Sequence, residues 1–490
     1  MRTKMRQTEY VNIVIMLTGL LVLNIMMSQA KLPDSDFFWH TTIGRDILRT
    51  FSVPREDTYS WLSAEYGLME TAHSWAAGVV LYLCTLPFAV NPVYGALLYC
   101  SVTFALFEAV VYVLYLRRIE SDALRSIAVI AAAIAGVLTF RNARPQNIGY
   151  ILFAAGICVL IKLYENPNRK LLILAPVISL LWANFHGGAV PMYFAFNLLF
   201  LVLTFVRDFE FGQVYSRCAD RLKSRKYLLA ALGLNLAAGL CNPYGAKLYI
   251  YFFVTNNSVT KKYVGEWQHG ALLSFSAIFT LLCFFYVFVL SKQKTPLHKL
   301  LPLVITFGLS GIHIRIGEYS YLFAVILLSE CFCQMRTDIK RVRTDISCIV
   351  CAGMAVLLGI FMSGAVGAPI ILQSNPLTDE LLDYLDEKKF SRLYNDYNTG
   401  GYLIFEGYPS FVDSRADLFT DDILKDSFSF ASMSFETPEE YQKFYDDYRF
   451  DGLLVRKKEG TRPLLMYLNK DENWTVDYED TEWLVFVPAA

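Results

Sequence analysis

Apolar runs long enough to cross a bilayer recur along most of this chain and stop near residue 370. A membrane-spanning helix needs about 20 predominantly apolar residues. The pattern predicts a dozen such segments, at 10–29, 74–91, 93–116, 124–140, 147–164, 170–185, 189–206, 227–241, 273–291, 299–313, 319–334 and 346–368. Met1-Arg-Thr-Lys-Met-Arg6 before the first has the charge of a secretion signal, but the run is long and many spans follow, so an uncleaved signal-anchor is expected. Past about residue 376 the period changes. Short β-rich runs at Arg392-Leu-Tyr, Ser410-Phe-Val, Gly452-Leu-Leu-Val, Trp474-Thr-Val and Trp483-Leu-Val-Phe-Val alternate with helical stretches at 379–386, 421–430, 437–448 and 462–468. The expected fold is therefore an α-helical polytopic membrane bundle of about 11–13 helices over 1–370, with a long first external loop at 30–73 and a small extracytoplasmic α/β domain at 371–490.

Composition sharpens this picture. Of 490 residues, 55% are hydrophobic and only 18% charged, against roughly 25% charged in a soluble domain, which excludes an ordinary cytosolic enzyme. The net charge of −1 conceals an asymmetry. From Ile371 onward 12 Lys and Arg face 25 Asp and Glu, so the tail is −13 and the preceding part +12. Basic residues accumulate in cytoplasmic loops. Taking the clusters at Arg2/Lys4/Arg6, Arg117/Arg118/Arg125, Arg169/Lys170, Arg217–Lys226, Lys292–Lys299 and Arg336–Arg343 as cytoplasmic puts the N-terminus inside. Loops 30–73, 141–146, 184–188, 242–272 and 313–318 and the acidic tail then lie outside. Between loop 30–73 and Arg117 the pattern offers two segments, yet only an odd number of crossings joins opposite faces. Either 74–91 or 93–116 is re-entrant or lies along the surface, or the Arg117 loop is external. The ten cysteines fall within or between apolar segments, where Cys behaves as a small apolar residue, and no disulfide is expected. A lipid bilayer is the expected partner of the helices; no nucleic acid is.

Ionisable groups in membrane segments are costly and mark function. Five of the six histidines, His40, His73, His186, His269 and His313, fall at predicted outer ends, with Asp34, Asp36, Glu70, Arg141, Arg144, Gln146, Asn184, Asn242, Glu266, Arg315 and Glu318. Polar groups from separate helices at one rim are what an outward-opening site needs. Asp34-Ser-Asp-Phe-Phe-Trp-His40 sets two acids beside Trp39 and an imidazole. Arg141-Asn-Ala-Arg-Pro-Gln146 offers two guanidiniums, which match phosphate oxygens. The bland reading is that membrane interfaces are polar and aromatic anyway.

The motifs Asp34-Ser-Asp36, Trp39-His40, Gly44-Arg45, Pro54-Arg55…Asp57…Tyr59, Glu70…His73-Ser-Trp75, Arg144-Pro-Gln146, Leu181-Trp-Ala-Asn-Phe-His-Gly-Gly188, Asn242-Pro-Tyr-Gly245 and Glu266-Trp-Gln268 resemble those of bacterial polytopic proteins in the GT-C glycosyltransferase superfamily. In the tail, Asn395-Asp-Tyr-Asn-Thr-Gly-Gly-Tyr402 and Phe411-Val-Asp-Ser-Arg415 are similar to the closing segment of that group. The chain departs from the group's pattern at Ser35, where proline is common, and at Ser414, where glycine is common. The resemblance implies a polyprenyl-phosphate-linked sugar donor and a catalytic acid in the first external loop, here Asp34 or Asp36.

The expected activity is hexosyl or pentosyl transfer to a glycan, lipid or protein acceptor at the outer face of the cell membrane. Asp34 or Asp36 takes the acceptor proton, and Arg141, Arg144 and Arg315 meet the developing phosphate charge. Trp39, His40, Glu70, His73, Gln146, Asn184, His186, Asn242 and Glu266 are the expected substrate contacts. A divalent cation, Mg or Mn, on Asp34, Asp36 and His40 is a further expectation; pairing of these groups with nearby arginines is its alternative. In the tail, Asp396, Gly400, Gly401, Asp413 and Arg415 form either a second site or, for Asp413 and Arg415, a structural pair. The rival classes are a transporter or flippase of lipid-linked sugars, against which the rim location argues, a polysaccharide polymerase or ligase, and a receptor.

Overall fold

The computed structural model describes residues 7–29, 34–88, 91–250, 275–335, 377–435 and 437–489. The protein is predominantly helical. Each of the first eleven predicted apolar segments carries a helix, and the twelfth, 346–368, lies outside the described residues. Among the described residues, Val93–Leu116, Asp122–Thr139, Gln146–Glu165 and Ile316–Gln334 are long and apolar enough to cross a membrane. Shorter apolar helices include Trp75–Phe88, Gly187–Leu203 and Leu297–Ser310. At 1.5 Å per residue, Trp75–Phe88 reaches only about 21 Å, short of a hydrocarbon core of about 30 Å.

The chain packs as two units, along a different line from the expected division at residue 370. One unit takes the first helix, Ala96–Ala246 and the helices between Phe275 and Gln334; the other joins Asp34–Gly95 to the tail.

In the first unit, small residues let helices approach closely and polar side chains hydrogen-bond between them, as expected in lipid. A Cβ on Gly19 would sit 3.2 Å from Phe104 and 3.3 Å from Ala133. Asn12 accepts a bond from Ser126 at 2.8 Å, Asn24 one from Ser101 at 2.9 Å, and Asn197 one from Asn235 at 3.0 Å. Ile173, Leu229, Leu282 and Leu290 are exposed, as lipid-facing positions are. One end of this unit carries an ion cluster. Lys299 bonds Glu165 and Glu330, both at 2.8 Å, while Arg118 meets Glu330 at 2.9 Å and His298 meets Glu165 at 3.0 Å. It ties helix ends with opposite charges in balance.

The second unit is built on a four-stranded sheet in the order Leu393–Tyr394, Gly452–Arg456, Trp483–Pro488 and Trp474–Glu479. The first pair is parallel and the others antiparallel, with Leu454 opposite Val485. Thr378, Thr420 and Thr437 cap the helices Asp379–Lys388, Asp421–Ser432 and Pro438–Tyr448, their hydroxyls accepting backbone N–H bonds. The core gathers Tyr394, Phe411, Phe430, Phe444 and Phe450 together with Leu62 and Leu68 of the loop before Trp75. That loop is stitched in by Trp61 Nε1 donating to Leu393 O at 3.1 Å and by a parallel bridge from Ser60 to Ser410. In the same unit the Ser35–Thr50 helix lies against the Trp75–Thr85 helix with almost no gap. A Cβ on Gly44 would fall 2.0 Å from the Gly78 carbonyl oxygen.

Candidate active site

Asp34 is the N-cap of the Ser35–Thr50 helix, and its carboxylate accepts from the Asp36 backbone N–H at 3.0 Å. An anion is favoured there by the helix dipole and the unpaired N–H groups of the first turn. Asp36 stands in that turn, and its Oδ1 accepts from the Trp39 indole N–H at 3.3 Å. The same N–H reaches Ser414 Oγ at 3.0 Å, and Ser35 Oγ contacts Ser414 Oγ at 3.4 Å. The Trp39 and His40 rings lie 3.5 Å apart between centroids. Gly401 leaves room for this junction, since a Cβ there would sit 2.5 Å from Ser35 O.

The residue after Ser414 anchors a second cluster. Arg415, 2% exposed, holds Asp413 side-on, with Nε to Oδ1 at 2.8 Å and Nη2 to Oδ2 at 2.7 Å. Its Nη1 reaches Asp57 at 2.5 Å and also bonds Glu70. Three buried carboxyls thus share one guanidinium. Burial pushes the Glu70 carboxyl up to about 7, and Asp417 and Asp57 add to the rise while Arg415 opposes it. Asp57 also caps the following turn by accepting from the Ser60 backbone N–H at 2.9 Å. Asp413 and Arg415 are therefore the structural pair, and Glu70 belongs to it. Residues Asp57, Ser414 and Arg415 were not among the expected substrate contacts; their motifs were visible, but nothing in spacing joins segments so far apart. His73 is half-buried with Nδ1 at 3.3 Å from Thr71 O. Asp396 caps its own turn and meets Lys458 at 3.0 Å.

Among the described residues no group of three His, Cys, Asp or Glu could hold a metal ion. Asp34 caps its helix and the His40 ring packs on Trp39, and no step below runs through a metal.

The first unit carries the remaining expected residues. Arg141 is exposed at the turn that leads into Gln146, the first residue of the Gln146–Glu165 helix. The Arg144 carbonyl accepts from Tyr99 OH at 3.0 Å, and Asn147 Nδ2 donates to Asn142 O at 3.0 Å, which fixes the turn. Arg141 and Arg144 lie within electrostatic range of half-buried Glu318, which accepts from Tyr150 OH. Glu318 is an acid near these guanidiniums that the phosphate assignment did not include. Arg315 is the N-cap residue of the Ile316–Gln334 helix. His186 faces Gly149, where a Cβ would lie 2.9 Å from Nδ1. Asn184 donates to Leu180 O and Cys241 O, and Asn242 to Gly239 O and Gly245 O, so both amides close helix ends. Glu266 and His269 lie outside the described residues.

No protein-family model matches this sequence, nor does any curated protein sequence. Solved structures do. An oligosaccharyltransferase of Archaeoglobus fulgidus, tethered to an acceptor peptide, superposes with a TM-score of 0.53 at 10% identity, covering 97% of this chain and 74% of that one. The arabinofuranosyltransferase AftD from Mycobacteria gives 0.54 at 11% identity over 97% of this chain and 40% of its own. ArnT from Cupriavidus metallidurans, bound to undecaprenyl phosphate, gives 0.51 at 11% identity over 99% of both chains. The chain has the fold of the GT-C glycosyltransferases and is a multi-pass membrane protein.

Proposed function

We propose that this protein moves a hexosyl or pentosyl unit from a polyprenyl-phosphate-linked donor to an acceptor glycan, lipid or protein at the extracytoplasmic membrane face, with the N-terminus cytoplasmic. The observation that carries this reading is the Asp36 carboxylate, fixed in the first turn of a capped helix by Trp39. The fold likeness supports it, because ArnT is bound to undecaprenyl phosphate and the oligosaccharyltransferase to an acceptor peptide.

An acceptor hydroxyl is a weak nucleophile. Asp36 takes its proton as the new bond to the anomeric carbon forms and the carbon–oxygen bond to the lipid phosphate breaks. The departing phosphate carries the negative charge away, a charge of the kind that guanidinium groups stabilise. Asp34 holds the helix start rather than the proton. Trp39 and His40 are the substrate contacts proposed beside Asp36, while Asn184, Asn242, Glu70 and His73 act through structure.

The test is reconstitution of the full chain in vesicles loaded with short-chain polyprenyl-phosphate sugars and envelope extracts as acceptor. Consumption of donor with label in the acceptor supports transfer. Donor that crosses the bilayer unconsumed would make the protein a transporter instead.

A further inference from the structure

The Trp39 indole N–H is shared between two acceptors from distant parts of the chain: Asp36 Oδ1 at 3.3 Å and Ser414 Oγ at 3.0 Å. Trp39 is buried, so it has little freedom to swing toward one of them alone. Ser414 is in turn held on three sides. Its carbonyl accepts from Tyr397 OH at 3.1 Å, its hydroxyl meets Ser35 at 3.4 Å, and its neighbour Arg415 is clamped by Asp57, Glu70 and Asp413. The tail thus holds Ser414 by several bonds where it meets the indole.

We propose that Ser414 is a positioning residue for Asp36, acting through Trp39: the tail sets the direction of the proposed base rather than merely covering it. This rests on the reading of Asp36 as the base. The hydroxyl of Ser414 anchors the indole, and the indole N–H aims the Asp36 carboxylate. Removing the hydroxyl leaves Trp39 with Asp36 as its only acceptor in this pair, pulling the carboxylate toward the ring and away from an acceptor proton. Of the two shared bonds the one to Ser414 is the shorter, at 3.0 Å against 3.3 Å.

The experiment uses the full-length protein in lipid, labelled with 5-fluorotryptophan, with the Trp39 fluorine resonance assigned by its loss in Trp39→Phe. Ser414→Ala is expected to shift that resonance and to lower kcat for short-chain polyprenyl-phosphate sugars about three- to tenfold with KM unchanged, the effect of one ordinary hydrogen bond. Ser414→Thr, which keeps the hydroxyl, is expected to restore both. A Ser414→Ala protein with wild-type resonance and kcat overturns the proposal, as does an equal loss in Ser414→Thr. If the wild type transfers nothing while the Trp39 resonance still moves in Ser414→Ala and Asp36→Asn, the positioning contact stands and the transferase reading falls.

Discussion

Nη1 of Arg415 lies 2.5 Å from Oδ1 of Asp57, across 358 positions of sequence. This contact joins the first loop to the tail inside one buried cluster that also holds Glu70 and Asp413. Removing the cation leaves three buried carboxyls with no counter-charge. Arg415→Met is therefore expected to destabilise this unit by about 3–5 kcal/mol, as when one partner of a buried pair is lost. Chemical unfolding in detergent, followed by the fluorescence of Trp61 and Trp483, reads the effect.

Glu70 gives the cluster a pH dependence whose sign is fixed. Its carboxyl is raised from 4.5 to about 7, so the folded state holds the proton more tightly than the unfolded chain. The stability this confers is complete below about 4.5 and is lost as pH rises through about 7. At 1.4 kcal/mol per pKa unit the loss is about 3 kcal/mol. Glu70→Gln keeps an oxygen for Arg415 but cannot ionise. Its melting temperature is expected to stay flat between pH 4.5 and 7.5, where the wild type declines.

Backbone contact between Gly44 and Gly78 tolerates no side chain. Gly44→Ala puts a methyl 2.0 Å from a carbonyl oxygen on the neighbouring helix. The helices must separate, at or above the upper end of the usual overpacking range of about 1–3 kcal/mol. Gly233→Ala, with nothing within 4 Å of the new methyl, is expected to leave the melting temperature unchanged or slightly raised.

Most of the helical architecture was legible because apolar runs of this length have few other uses, and the tail strands because their β-rich runs were short and separated. The Ser410-Phe-Val run forms only a bridge to Ser60, since its partner came from the first loop rather than from the sheet. Contacts at long sequence separation were not legible. Leu62 and Leu68 look like ordinary loop residues until the tail core closes around them. Likewise Asn184 and Asn242 look like ligand-binding amides, but helix ends need their donors. Ser35 and Ser414, the two departures from the GT-C motifs, proved to touch each other at 3.4 Å. A single sequence offers no way to see that such changes are linked.

The topology is testable through helix length. Val93–Leu116 is long and apolar enough to cross, and we propose it as the single crossing between the first loop and Arg117. In a cysteine-free background, Met69→Cys is expected to react with a membrane-impermeant maleimide in intact spheroplasts. Arg117→Cys should react only after permeabilisation.

The most direct test of the account is single-turnover transfer by purified protein in lipid, comparing wild type with Asp36→Asn and Asp34→Asn on the same polyprenyl-phosphate sugars. The account predicts a loss of about 10²–10⁴-fold for Asp36→Asn, the usual contribution of a general base, with a smaller loss tied to lowered stability for Asp34→Asn. Transfer at the wild-type rate by Asp36→Asn would contradict it.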